Sequence, residues 1–239
     1  VSGGSREYVR WLTAPSTGQI LLNTGVAAIQ RPAAGVTLED RQGETRHFDH
    51  VVSAAHANEA LSLLADADSA ERQLLDAFRY ERNLAILHSD TRLMPRARKA
   101  WSSWNFLGDS GHEKDTVSVT YWMNRLQSLN TSTPLLVTLN PLHPPREGSI
   151  LRSYIYEHPL FDLAAIRAQR LLWNLQGVRR TWYCGAYFGH GFHEDGLQAG
   201  LAVAEQLGGQ SRPWKVAGMN DRIHSYNLKE TGHNRRVAA

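Results

Sequence analysis

The chain has 239 residues, of which 42% are hydrophobic and 21% charged, with a formal net charge of +3 and a single cysteine. That length supports one large domain or two modest ones with real cores. The lone Cys184 excludes an internal disulfide framework, and no apolar run approaches the roughly 20 residues that cross a bilayer. Acids and bases are interspersed rather than gathered into one basic stripe, which argues against nucleic acid as a partner, and a cytoplasmic setting is the expectation.

The opening Val1-Ser2-Gly3-Gly4-Ser5 has neither an initiating methionine nor a leader, and reads as a start in mid-fold, so a C-terminal piece of a longer protein is expected. Tyr8, Val9, Trp11 and Leu12 predict a short helix with Ser5 near its N-cap, ending before Pro15. Period-two patterning predicts strands over 26–30, 36–40 and 46–53, the latter two joined through Asp40-Arg41-Gln42-Gly43. Val51 to Ala55 lacks polar alternation and runs into the helical pattern of Asn58 to Leu64, as a parallel strand covered on both faces would. A second helix is predicted over 70–80, with Asp68 and Glu71 at capping-box spacing.

Strand-like runs at 84–88, 117–123, 135–140 and 149–156, separated by loops with proline and glycine, then predict an antiparallel sheet with one face free to line a site. Trp101, Trp104, Tyr121, Trp122, Tyr154 and Tyr156 suit either an apolar cavity or a core. His88 and His112 are candidates for proton transfer, although most of the 11 histidines must be ordinary. A helix over 162–175 follows, with Gly177 at the C-cap position.

The last unit is a strand over 180–184, a glycine-rich loop from Gly185 to Gly191, and a helix over 193–207 closed by Gly208-Gly209. Its glycines either let main chain approach a flat or anionic ligand, with first-turn N–H groups pointing at it, or simply permit a tight strand-to-helix turn. Gly196, Gly200 and Ala204, at i, i+4 and i+8, leave one helix face without bulk. His190, His193, Glu194 and Asp195 straddle a loop and a helix start rather than one helical face, so no metal site is expected, and the helix dipole accounts for the two acids. No G-x-S-x-G elbow and no P-loop occur. Beyond the helix, Arg212, Lys215, Arg222, Lys229, Arg235 and Arg236 face only Asp221 and Glu230, and a solvated, partly disordered end is predicted.

The stretch Trp182 to Gly200 resembles the C-terminal FAD signature of the flavin amine oxidase superfamily, and more closely an uncharacterised bacterial branch of NAD/FAD-binding proteins. Gly3 to Val9, Phe48 to Ala54, Leu87 to Asp90 with Leu93-Met94-Pro95, Trp101 to Asn105, Val119 to Asn124 and Val137 to Pro141 agree with that branch in order. The resemblance implies an α/β fold, α+β in its substrate part: an incomplete FAD-binding Rossmann-like domain with an antiparallel-sheet substrate domain. Residues 1–62 and 177–211 would build the former, 63–176 the latter, and 212–239 a basic tail.

It further implies that Gly185 and Ala186 lie beside the FAD pyrophosphate and ribityl chain, that the His193 N–H, with Glu194 next to it, faces the flavin carbonyl edge, and that Phe192 forms one wall of the substrate cage. Val26 would meet the adenine through its backbone, and Ala54 would end the strand passing under the dinucleotide. Three departures stand out. The strand from Asn83 to Ser89 lacks the lysine common in amine oxidases, Ala186-Tyr187 replace the usual polar residue after Gly185, and the N-terminal GxGxxG turn is missing. The expected function is hydride transfer from an apolar or amine substrate to FAD, with the missing N-terminal half as the structural complement. A flavin-dependent isomerase or a cofactor-free binding module are the alternatives.

Overall fold

The computed structural model describes residues 3–16, 18–109 and 116–225; His112, Lys229, Glu230, Arg235 and Arg236 lie outside the described residues. Helix α1 (Ser5–Thr13) has Gly4, at φ 87°, as its N-cap, with Ser5 next to it as expected. Strands β1 (Val26–Gln30), β2 (Val36–Asp40) and β3 (Thr45–Phe48) form an antiparallel sheet in that order, with Ile29 opposite Leu38 and Leu38 opposite Arg46.

The strand expected over 46–53 is in fact two. Thr45–Phe48 pairs antiparallel with β2, whereas β4 (Val51–Ser53) leaves that sheet to pair in parallel with residues 181–183. Asp49 and His50 are the break: they lie outside either strand, and the chain changes partner across them. Val52 is 43% exposed, so among the described residues β4 is covered on one face.

Helix α2 (Ala57–Leu63) follows, then α3 (Ser69–Leu75), where Asp68 accepts from the Glu71 N–H at 2.8 Å and Glu71 from the Asp68 N–H at 2.9 Å. The helix expected to reach Tyr80 stops at Leu75. Phe78 turns into the core and Arg79 opens the long strand β5 (Arg79–His88), so tertiary pairing overrides the helical pattern.

Strand β5 joins β6 (Trp104–Asp109), β7 (Thr116–Trp122), β8 (Leu136–Leu139) and β9 (Ile150–Leu160) in a five-stranded sheet of order β6-β7-β8-β5-β9, with the short helix α4 (Met123–Leu126) after β7. The sequence did not reveal β6 because its pattern is inverted: Trp104 and Phe106 are exposed while Asn105 is buried. The covered face is polar and bonded across strands. Thr138 Oγ1 lies 2.7 Å from His88 Nε2 and 2.9 Å from Thr120 Oγ1, and Asn105 donates to the Thr120 carbonyl at 3.2 Å.

Helix α5 (Leu163–Gln169) starts at Asp162, whose carboxylate accepts from the Ala165 N–H at 2.9 Å, and is shorter than the predicted 162–175. Gln169 turns inward to donate to the carbonyls of Tyr187 (2.9 Å) and Gly189 (2.5 Å), and a separate 3-10 turn spans Leu172–Leu175. Gly177 is left-handed at φ 75°, where a Cβ would lie 3.1 Å from the Trp182 ring. Strand β10 (Thr181–Tyr183), a 3-10 turn at Ala186–Phe188 and helix α6 (His193–Gly208) complete the order, with left-handed Gly209 after α6.

The chain divides into two compact units: residues up to Ile20 with Glu81–His158, and Leu21–Tyr80 with the residues from Pro159 on. Residues 63–78 and 161–176 thus fall in the same unit as β1 to β4 and α6. The second unit holds the larger core, with Ile29, Leu75, Phe78, Leu172, Tyr183 and Phe188 among its buried residues. The fold is thus a partial α/β arrangement with antiparallel sheets. Among the described residues no helix is long and apolar enough to cross a membrane.

Candidate functional site

The parallel pair β4–β10 has its carboxyl ends at Ser53 and Tyr183, and the loops that leave them, Ala54 to His56 and Cys184 to Ala186, come together. A Cβ on Gly185 would lie 2.8 Å from Tyr187 Cε1 and 3.9 Å from the Ala55 carbonyl oxygen; with φ at 153°, this position requires glycine. A Cβ on Gly196 would lie 3.6 Å from the Ala186 nitrogen, so the first turns of α6 run along bare main chain. Ligands of open α/β sheets collect outside the carboxyl ends of parallel strands, and this corner has that placement.

Of the expected site residues, the structure gathers Ala54, Gly185, Ala186, Phe192, His193 and Glu194 around this corner. Ala54 is exposed at the end of β4, and Phe192, 62% exposed, precedes α6. His193 and Glu194 are exposed at its first two positions, which precede the first N–H bonded within the helix start, that of Asp195 to the Phe192 carbonyl at 3.1 Å. Val26 stands apart at the start of β1, half-buried against the same core.

Asp195 is fully buried. Burial pushes its carboxyl up, but the Arg222 guanidinium at 2.6 Å, the Phe192 N–H at 2.7 Å and the His190 N–H together hold it below the usual carboxylate range. Arg222 comes from the segment after α6. The predicted solvated tail is corrected at two of its described residues, since Ile223 is buried in the core and the Arg212 side chain is buried against Glu205 at 2.5 and 3.0 Å, while residues 213–218, Lys215 among them, are exposed.

Beneath β10 lies a buried ionic network that pattern reading missed. Arg31, at the end of β1, binds both carboxylate oxygens of Glu71 and reaches Asp66 through Nε at 2.8 Å, while the Tyr183 hydroxyl donates to Glu71 at 2.7 Å. Arg179 also pairs with Asp66. Burial pushes Glu71 up, yet bonds from Arg31, Asp68 and Tyr183 hold it below its ordinary value. The one sequence signal was the capping box, which located Glu71 without showing its cation.

Other candidates fall elsewhere. His88 is fully buried with both ring nitrogens engaged, Nδ1 accepting from the Asp90 N–H at 3.1 Å, so it is not presented for proton transfer. Trp101 and Trp122 pack edge-to-face at 5.2 Å in a small core, whereas Trp104, Tyr154 and Tyr156 are exposed. Tyr187, which follows Ala186, is buried against Phe78, and its hydroxyl has no hydrogen-bond partner; the His56 Nδ1, whose ring stacks on Tyr80 at 4.4 Å, is likewise buried and unpartnered. Among the described residues no three His, Cys, Asp or Glu side chains are grouped to hold a metal. Two clefts, of about 370 Å³ along residues 32–37 and 47–49 and about 640 Å³ around Arg92, Leu107 and His143, include none of the expected cofactor residues.

No protein of curated function matches the sequence. Solved structures do match in fold. A putative protoporphyrinogen oxidase from Exiguobacterium sp. 255-15 aligns with a TM-score of 0.61 at 13% identity over 84% of this chain and 50% of that one. A redesigned putrescine oxidase aligns at 0.59 and 13% over 87% and 53%. A CLA-producing fatty acid isomerase from P. acnes aligns at 0.51 and 15% over 76% and 46%. The chain therefore spans about half the length of these structures. With its glycine corner, parallel pair and antiparallel sheet in place, and with the model of the flavin-containing amine oxidoreductases matching residues 1–208, the chain belongs to that family.

Proposed function

We propose that this chain is part of an FAD-dependent oxidoreductase in which an apolar or amine substrate gives hydride to the flavin. The observation that carries the reading is the meeting of the Gly185-Ala186 main chain with the first turn of α6 at the carboxyl ends of β4 and β10. The donors available there, main-chain N–H groups of a helix start with Arg222 behind them, fit an anionic or carbonyl-bearing cofactor edge. The bound cofactor would supply the redox chemistry.

In this reading Gly185 and Ala186 lie along the pyrophosphate and ribityl chain, His193 and Glu194 set the charge at the ring edge, and Phe192 gives one apolar wall to the substrate. Ala54 and Val26 serve the dinucleotide end. The Rossmann turn that grips the pyrophosphate would come from a preceding half of the same protein.

A lipid-like substrate is favoured over an amine, because β5 carries no lysine and the five-stranded sheet presents Trp104 and Phe106 to solvent. Flavin-dependent isomerisation without net oxidation is the second reading, supported by the shared fold of the fatty acid isomerase.

The test is the absorbance of the full-length protein and its anaerobic response to substrate. A flavin band bleached by substrate, with an oxidised product, supports oxidation. Bleaching that reverses as an isomer is released supports the second reading, and a colourless protein that cannot be reconstituted with FAD defeats both. The 239-residue chain alone should bind FAD weakly, and a stoichiometric, tightly held flavin in it would contradict the role given to a preceding half.

A further inference from the structure

We propose that Arg222 is a positioning residue of the cofactor corner: acting through Asp195, it latches the Gly189-to-Phe192 loop onto the first turn of α6, which makes the segment after α6 part of the site. The inference rests on the reading above for its cofactor consequence, and on the geometry alone for the latch.

Three stretches of chain converge on Gly189. A Cβ there would lie 2.5 Å from Asp195 Oδ1 and 2.7 Å from the Arg222 carbonyl oxygen, so loop, helix and trailing segment meet with no room for a side chain. Asp195 gathers the Phe192 N–H at 2.7 Å, the His190 N–H, and Arg222 Nε and a terminal nitrogen at 2.6 and 3.3 Å. Arg222 is itself fixed: its N–H donates to Gln198 Oε1 at 3.2 Å, its guanidinium lies 5.8 Å from the Phe192 ring centroid, and Ile223 beside it is in the core.

A helix start behaves as roughly half a positive charge, and an uncompensated Asp195 in the first turn would more than cancel it. A buried carboxylate also needs a counter-charge to stay in place. Arg222 supplies that charge, which leaves the exposed N–H donors of the first turn effective toward an anionic ligand edge. Lysine in its place would keep the charge but lose the two-point geometry.

The full-length protein decides the matter through hydrogen exchange over residues 189–195, FAD affinity and flavin midpoint potential for R222Q, R222K and D195N. With R222Q, exchange across 189–195 should rise at least about tenfold, and reduced flavin should lose about tenfold more affinity than oxidised flavin, a shift of about 30 mV to more negative potential for a two-electron couple. R222K should keep the potential near wild type with intermediate exchange, and D195N should move the potential the opposite way. A merely structural role would lower the melting temperature and weaken both flavin forms alike without moving the potential. Unchanged exchange in R222Q overturns the latch, and an unchanged potential in R222Q together with D195N overturns the charge argument. Exchange measured without flavin judges the latch even where the flavin reading fails, so the two failures are distinguishable; should R222Q not fold, R222K and D195N carry both arms.

Discussion

Replacing Glu71 with glutamine should be among the most damaging conservative changes in this protein. The Glu71 carboxylate is 1% exposed and accepts from both terminal nitrogens of Arg31, from the Tyr183 hydroxyl at 2.7 Å and from the Asp68 N–H at 2.9 Å. Glutamine keeps the volume but offers one oxygen, and its amide group must face donors. Removing one member of a buried ion pair costs about 3–5 kcal/mol. Asp66 still balances Arg31 through Nε, which places Glu71→Gln near the lower end, about 3 kcal/mol.

At about 2–4 °C per kcal/mol for a protein of this size, the melting temperature should fall by roughly 6–12 °C in a thermal scan at neutral pH. Adding Arg31→Met should recover about 1 kcal/mol or more, because the buried guanidinium left with too little counter-charge is then gone while Asp66 keeps Arg179. Glu71 is held below its ordinary value, so its contribution is fully present above the unfolded pKa of about 4.3 and is lost as pH falls through the lower folded value. A shift under about 2 °C in the single variant, or a double variant worse than the sum of its parts, would refute the assignment of this network as the fastening between β1, α3 and β10.

His88 should show the opposite chemistry with the same sign. Burial holds its imidazole below the ordinary value, against the pull of Asp90, so the folded state keeps it neutral; stability is fully present above about pH 6.5 and declines as pH falls below that. His88→Gln should flatten that part of the profile in urea midpoints measured across the range, and an unchanged slope would exclude His88 as its source. Gly185→Ala should destabilise by about 2 kcal/mol or more through its φ of 153° and its 2.8 Å approach to Tyr187, whereas Gly208→Ala, with open space around it, should be neutral or stabilising by up to about 1 kcal/mol. Equal melting shifts for the two alanines would remove the case for a strained corner at Gly185.

Where local signals coincide with tertiary needs, the residues alone lead to the right element. Asp68 and Glu71 announce the start of α3, Pro15 bounds α1, and the glycines from Gly185 to Gly191 mark the turn between β10 and α6. The failures have physical causes. Strand β6 hides because its apolar side chains point outward and its asparagine inward, the reverse of the usual alternation. The division of 46–53 is invisible because Val51 pairs with Thr181, 130 residues away. Arg212 and Arg222 look like a solvated tail in sequence because Asp195 is already explained by its place at a helix start and nothing in the pattern points Glu205 toward a later arginine. At the corner itself the glycines and helix start were legible, whereas the pairing of Arg222 with Asp195 was not.

The pairing of β4 with β10 also dictates a timetable. Val51 cannot acquire its neighbour until Thr181 has been synthesised, and at about 5–20 residues per second that wait is roughly 7–26 s. During this time the Arg31 guanidinium has Glu71 and Asp66 within a short stretch of chain but lacks the Tyr183 hydroxyl that completes their shell. Residues 81–158, with their own sheet, can form in the interval. The last of the described strands to emerge is therefore the one that gives β4 its neighbour, and ribosome-bound chains ending before about residue 180 should leave β4 open to protease.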